Sequence, residues 1–298
     1  MTAVRLRRAV ADRLPPRLQN RLLRLIRSRL PLNDTAIEVA LQAKLVRGFV
    51  GGRSGADHRV TRKQREDLVN RFQEIAEAVP SATSWLSWVV LADRLLNIPP
   101  STEGAVIECG CYKGASACAL SLACELTDRK LYVCDSFEGL PEDESPTHRY
   151  PHLGLKTKYR RGSFTGSLEE VTRNLETFGA RRCCELVPGY FSETLGALDG
   201  PFVFAFFDVD LATSMADCIK HLWPKFTPDA VIFTDDSCDM DVVKVWFDND
   251  FWRNEVGEEP PGYIGSGSGL PGISARYSSL GYTLKSTGNL EPADFSLP

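Results

Sequence analysis

The chain has 298 residues, 43% of them hydrophobic and 25% charged, the composition of an ordinary globular protein able to bury a full core. Its net charge of −4 conceals an imbalance: residues 1–30 hold nine arginines against one acid, Asp12, which leaves −12 on the other 268 residues and makes the acidic body a poor partner for nucleic acid. No apolar run reaches the roughly 18 to 20 residues that span a bilayer, and the nine cysteines form no CxxC pair of the zinc or redox kind; reduced thiols and a cytoplasmic location are expected.

In chain order, Leu14, Leu18, Leu22, Leu25 and Ile26 recur at helical spacing with Arg17, Arg21, Arg24 and Arg27 between them, predicting a basic amphipathic helix over 16–30. Such a helix can pack on the body or on a second subunit, lie on a membrane surface or serve as an organelle-targeting segment. Phe49 to Ser54, with Gly51 and Gly52, reads as a loop, and 62–79 and 83–96 read as helices ending before Pro80 and Pro99. These define a helical N-terminal extension, 1–98, ahead of a main domain, 99–298.

After Val106 short β-rich runs alternate with helical stretches: Ala105 to Cys109, Lys130 to Asp135, Cys183 to Val187, Phe202 to Asp208 and Asp229 to Asp235. The alternation predicts an α/β fold, a mostly parallel sheet with crossover helices. Phe202 to Phe207 lacks any polar residue, as expected of a central strand covered on both faces. Gly257 to Gly272 is loop-like, and Ile273 to Tyr277 with Tyr282 to Lys285 reads as a closing hairpin.

The chemistry gathers at strand ends. Gly110 and Gly114 fall between the first strand and the helix Ala115 to Leu126, where backbone can approach a ligand and the helix offers unpaired N–H groups. The next strand ends in Asp135, placed to accept the hydroxyls of a ribose, so the pattern outlines an adenosine site. The GxxxG spacing, filled by Cys111, Tyr112 and Lys113, departs from the GxGxxG of dinucleotide enzymes, which counts against a nicotinamide-dependent oxidoreductase without removing it. Glu108, next to last in its strand, either faces the site to meet an ammonium or an ordered water, or caps a neighbouring helix. Asp208 ends the apolar strand, and Asp235 and Asp236 end the next, 27 and 28 residues on with a helix between. A right-handed crossover of that length brings the strands together, and three converging carboxylates suit a hard cation, Mg²⁺, Mn²⁺ or Ca²⁺. The alternative is that they are helix-capping and solvent-facing loop acids.

Four segments, Ile107 to Ala115 (IECGCYKGA), Asp135 to Pro141 (DSFEGLP), Pro188 to Leu195 (PGYFSETL) and Asp208 to Ser214 (DVDLATS) followed by Asp235-Asp236, resemble the macrocin O-methyltransferase family over about Leu91 to Trp252. The resemblance implies a Rossmann-like class I methyltransferase with a seven-stranded sheet and helices on both faces, S-adenosylmethionine (SAM) against the first two strands, and Mg²⁺ (or Mn²⁺) on the residues matching Asp208, Asp235 and Asp236. It implies cofactor contacts at Glu108, Gly110, Gly114, Ser116, Asp135, Ser136, Phe137 and Gly189. Gly at Val209 and an aromatic at Ala212 are usual in the family, and its C-terminal substrate segment is not recognisable here.

On that footing a metal would lower the pKa of a small-molecule hydroxyl that the site aligns with the sulfonium methyl. Two adjacent hydroxyls would chelate best, favouring a vicinal diol of a sugar or a catechol-like ring of a natural product. Asp208 is one catalytic candidate, and His148 and His152, in the polar segment Glu142 to Arg161, are candidate bases if that segment is a lid; Lys158, Arg160 and Arg161 there could meet an acidic substrate or simply be solvated. Family analogues assemble into oligomers, so a homo-oligomer enters by analogy, as does a non-catalytic SAM-binding protein that keeps the fold.

Overall fold

The computed structural model describes residues 32–142, 148–150, 155–265 and 280–285; the basic helix expected over 16–30, His152 and the strand expected at Ile273 to Tyr277 lie outside them. Helix α1 (Leu32–Gly51) leads into α2 (Arg62–Ala78) and α3 (Trp85–Leu96). Phe49 to Gly51, read from sequence as loop, continue α1; the loop begins at Gly52. The Arg65 side chain fixes that corner from within, giving its N–H groups to the carbonyls of Val50, Gly52, Ser54 and Val60 while 6% exposed. Backbone acceptors that no helix can use are thereby satisfied. Thr61 and Gln64 close a capping box at the start of α2, and Ser84 caps α3.

The remaining elements alternate as expected: β1 (Ala105–Cys109), α4 (Ala115–Leu126), β2 (Leu131–Asp135), a hairpin of β3 (His148–Tyr150) and β4 (Leu155–Thr157), α5 (Leu168–Phe178), β5 (Cys184–Pro188), α6 (Phe191–Thr194), β6 (Phe202–Phe207), α7 (Ala212–Leu222), β7 (Phe226–Thr234), α8 (Met240–Val243), α9 (Asn249–Phe251) and β8 (Gly281–Leu284). Among the described residues the main sheet has six strands in the order β5-β2-β1-β6-β7-β8, parallel except for the β7–β8 pair. The seventh strand implied by the resemblance is not among them. The β3–β4 hairpin is a separate antiparallel pair.

Every residue of β6 is buried, and β1 and β7 flank it in register, Glu108 beside Phe206 and Phe207 beside Thr234. One face of the sheet packs Phe204, Phe206 and Val106 with α4 and with Phe72 and Trp88 of the helical extension. The other packs Phe202, Phe207 and Ile232 with α7 and Trp223, Trp246 and Trp252. Thus α2 and α3 act as the helical layer on one face of the sheet and share a continuous core with it. The cysteines are free thiols, most of them buried, and no helix among the described residues is long and apolar enough to cross a membrane.

Candidate active site

A cavity of about 490 Å³ opens at the carboxyl ends of β1, β2, β6 and β7, the edge where open α/β sheets hold ligands. Its first wall is the turn after β1. Gly110 sits at φ +85°, and a Cβ there would stand 1.9 Å from the Asp208 carbonyl oxygen, so the β1 and β6 ends meet as bare backbone. Gly114, at φ +82°, is the left-handed residue that opens α4.

Asp135 holds this turn: Oδ2 accepts the Cys111 N–H at 2.7 Å and the Tyr112 N–H at 3.2 Å, and Oδ1 accepts the Phe137 N–H at 2.8 Å. Burial raises its pKa, and the three N–H bonds offset part of the rise. The carboxylate fixes the turn while still lining the cavity. Ser116, Ser136 and Asp135 line the cavity; Phe137 and Gly189 lie just behind, Gly189 giving its N–H to the Asp135 carbonyl at 3.0 Å.

Glu108 is fully buried behind the same turn, with the Ser116 hydroxyl as its polar neighbour. Burial pushes it up to about 8; the Ser116 hydroxyl opposes the rise and Asp135 adds to it. The folded state therefore binds the Glu108 proton more tightly than the unfolded chain. Its penalty is absent below the ordinary value near 4.5 and complete above about 8, worth up to about 5 kcal/mol. Melting temperature of the ligand-free protein should fall as pH rises across that window, and Glu108→Gln should flatten the curve; a wild-type curve that climbs with pH would contradict the assignment.

The acidic rim lies opposite. Asp208, directly after β6, has its pKa raised by burial and then by the charges of Asp235, Asp236 and Asp210, while the Thr83 hydroxyl donates to Oδ2 at 3.1 Å. Asp236 is raised by burial, Asp210 and Asp235, and its Oδ2 accepts the N–H groups of Val209 and Asp210 at 3.1 and 2.9 Å. All three carboxylates expected from the sequence line the cavity and feel one another's charge. Among the described residues no group of three or more His, Cys, Asp or Glu side chains is arranged to hold a metal ion. The donor chemistry fits a hard divalent cation, but the trio is not assembled into a coordination shell.

His148 stands elsewhere: its side chain is fully buried on Asp239, Nδ1 to Oδ2 2.6 Å, outside the cavity lining. Lys158, Arg160 and Arg161 are exposed and outside the lining too. Sequence reasoning missed Pro80 to Ala82, which close the cavity from the helical layer, the aromatics Tyr159 and Phe164, and Asp217 on α7. Other lining residues, among them Tyr112, Leu140, Tyr190, Phe191 and Thr213, fall within the four family-like segments.

The sequence profile of the macrocin O-methyltransferase (TylF) family matches residues 97–260. The chain is 30% identical over 138 residues, 45% of its length and 52% of the relative's, to the 8-demethyl-8-(2,3-dimethoxy-alpha-L-rhamnosyl)-tetracenomycin-C 4'-O-methyltransferase of Streptomyces olivaceus. It is 32% identical over 151 residues, 47% of its length and 53% of the relative's, to the demethyldecarbamoylnovobiocin O-methyltransferase of Streptomyces niveus, and 27% identical over 143 residues, 45% and 56%, to the mycinamicin III 3''-O-methyltransferase of Micromonospora griseorubida. The chain spans about half the length of these curated relatives. Among solved structures, the O-methyltransferase NovP superposes with a TM-score of 0.54 at 19% identity, over 84% of this chain and 99% of that one, a likeness of fold. With its family motifs gathered around one cavity at the sheet edge, the chain belongs to the macrocin O-methyltransferase family.

Proposed function

We propose that the protein transfers the methyl group of SAM to a hydroxyl of a small polyhydroxylated molecule, a sugar or vicinal diol of a natural product, with a divalent cation at Asp208, Asp235 and Asp236. The charge of the cavity carries this reading. Among the described residues its lining holds eight carboxylates and no Lys, Arg or His. SAM is a net cation, whereas a nicotinamide dinucleotide brings an anionic pyrophosphate that this lining would repel. The names of the relatives, which methylate a rhamnosyl-tetracenomycin, mycinamicin III and demethyldecarbamoylnovobiocin, support a glycosylated or otherwise hydroxyl-rich acceptor.

The residues divide the work. Gly110 lets the β1 and β6 ends close backbone to backbone so that the turn after β1 borders the cofactor, Asp135 faces the ribose, and Glu108, ionised on ligand binding, would face the cofactor's ammonium across the Ser116 end of α4. Asp208, lining the cavity at the end of β6, is the carboxylate we assign to take the hydroxyl proton. A divalent ion bound to Asp208, Asp235 and Asp236 would supply Lewis acidity to the acceptor oxygen.

Titration calorimetry with SAM and with S-adenosylhomocysteine, its uncharged thioether product, tests the reading. SAM should bind more tightly, and raising salt from about 0.05 to 0.5 M should weaken SAM several-fold while changing the thioether less than about twofold. Equal salt dependence would remove the electrostatic argument; absence of binding by either would remove the methyltransferase reading altogether.

A further inference from the structure

The β3–β4 hairpin, inserted between β2 and α5, docks on the segment that follows the acidic pair. Two contacts tie it there. His148 Nδ1 meets Asp239 Oδ2 at 2.6 Å with both side chains fully buried. Arg149, on the exposed side, grips Asp241 two-pronged, Nε to Oδ2 at 3.1 Å and Nη2 to Oδ1 at 2.7 Å. Asp239 is itself fastened at both ends of its turn: its N–H donates to the Asp236 carbonyl at 3.0 Å, and its Oδ1 accepts the Asp241 N–H at 2.9 Å.

The other face of the His148 ring leads back to the cavity. Its centroid lies 4.8 Å from that of Tyr159; Tyr159 is 5.9 Å from Phe164, and Phe164 is 5.8 Å from Tyr112. Tyr112, Tyr159 and Phe164 all line the cavity, whereas His148 does not. A buried pair thus joins the two sides of the site, the aromatic wall and the carboxylate rim. A fully buried hydrogen bond between two side chains restricts the orientation of both, since an alternative geometry would leave polar atoms unpaired, and offset aromatic contacts fix ring orientation at these separations.

We propose that His148 and Asp239 are a positioning pair: Asp239 orients the imidazole, and the imidazole sets the Tyr159 ring in the cavity wall, in register with the rim one turn away at Asp236. The wall so fixed presents ring faces to the acceptor, which rests on the reading of this cavity as the methyl-transfer site; the positioning itself does not. His148 neither touches the cavity nor exchanges a proton with substrate in this scheme.

The test needs no ligand, so its failure and a failure of SAM binding are separate results. Tyrosine-ring resonances of isotopically labelled full-length protein are recorded for wild type, His148→Asn, Asp239→Asn and Arg149→Ala, with Tyr159 assigned through Tyr159→Phe. His148→Asn retains a donor for Asp239 but removes the ring; it should keep the fold by circular dichroism while the Tyr159 signals shift or double. Asp239→Asn should move the same signals. Arg149→Ala, which cuts the exposed tie of the same hairpin, should leave them in place. Unchanged Tyr159 signals in both pair variants, or an equal change in Arg149→Ala, would overturn the proposal. So would loss of folding in both pair variants with Arg149→Ala still folded, because the pair would then support the whole domain and not the wall.

Discussion

Replacing Asp208 by Asn is expected to cut methyl transfer by about three orders of magnitude while leaving the ligand-free protein as stable as wild type or more so. Both halves follow from one arrangement. Asp208 is a half-buried carboxylate whose proton affinity is raised by desolvation and by the charges of Asp235, Asp236 and Asp210, so taking away its charge relieves repulsion that only a bound cation would otherwise balance. Asp236→Ala should lose activity to a similar degree but behave oppositely in stability. Its Oδ2 is the acceptor for the Val209 and Asp210 N–H groups, and leaving buried donors unpaired costs about 1–3 kcal/mol each. Labelled-methyl transfer from SAM with Mg²⁺ or Mn²⁺, set beside thermal melts of the apo variants, reads both effects. Full activity in excess EDTA would contradict the metal role; Asp208→Asn melting well below wild type would contradict the repulsion.

Gly110→Ala should be a severely damaging addition of one methyl group. The added carbon would stand 1.9 Å from the Asp208 carbonyl oxygen, on a residue at φ +85°, so neither side-chain rotation nor a small backbone shift accommodates it. The β1 and β6 ends would have to part, taking the acidic rim away from the cofactor turn. We expect a loss of more than about 3 kcal/mol of stability together with loss of S-adenosylhomocysteine binding. By comparison, Gly257→Ala, at φ +81° but with no atom within 4 Å of the new carbon, should cost about 1 kcal/mol. Similar melting temperatures for the two variants would refute the close contact between strand ends.

Much of this architecture is legible in the chain because period and punctuation agree there. The bounds of β1 and α4 are as the glycines and apolar runs indicate, and the unbroken apolar stretch Phe202 to Phe207 does lie mid-sheet, buried on both faces. Asp208, Asp235 and Asp236 come together because strand ends converge wherever a crossover makes strands adjacent. What escapes a sequence reading is set by tertiary contacts. Nothing local marks Thr83 as a partner of Asp208 across 125 residues, nor Tyr159 and Phe164 as a wall. His148 sits in a polar stretch that reads as loop, and only the docking of β3 on the segment after β7 explains its burial. Gly51 and Gly52 signal a break, yet α1 persists through Gly51 because the Arg65 guanidinium takes up the carbonyls around its end.

The connector between α2 and α3 places Pro80, Ser81 and Ala82 in the cavity lining, although the stretch that matches the family begins only at residue 97. One wall of the cavity is thus drawn from chain ahead of the stretch that the family profile covers. Exchanging Pro80, Ser81 or Ala82 would reshape that wall while leaving the turn at Gly110 and its Asp135 anchor in place. A graft of residues 97–260 alone would carry the strand ends and leave that wall behind.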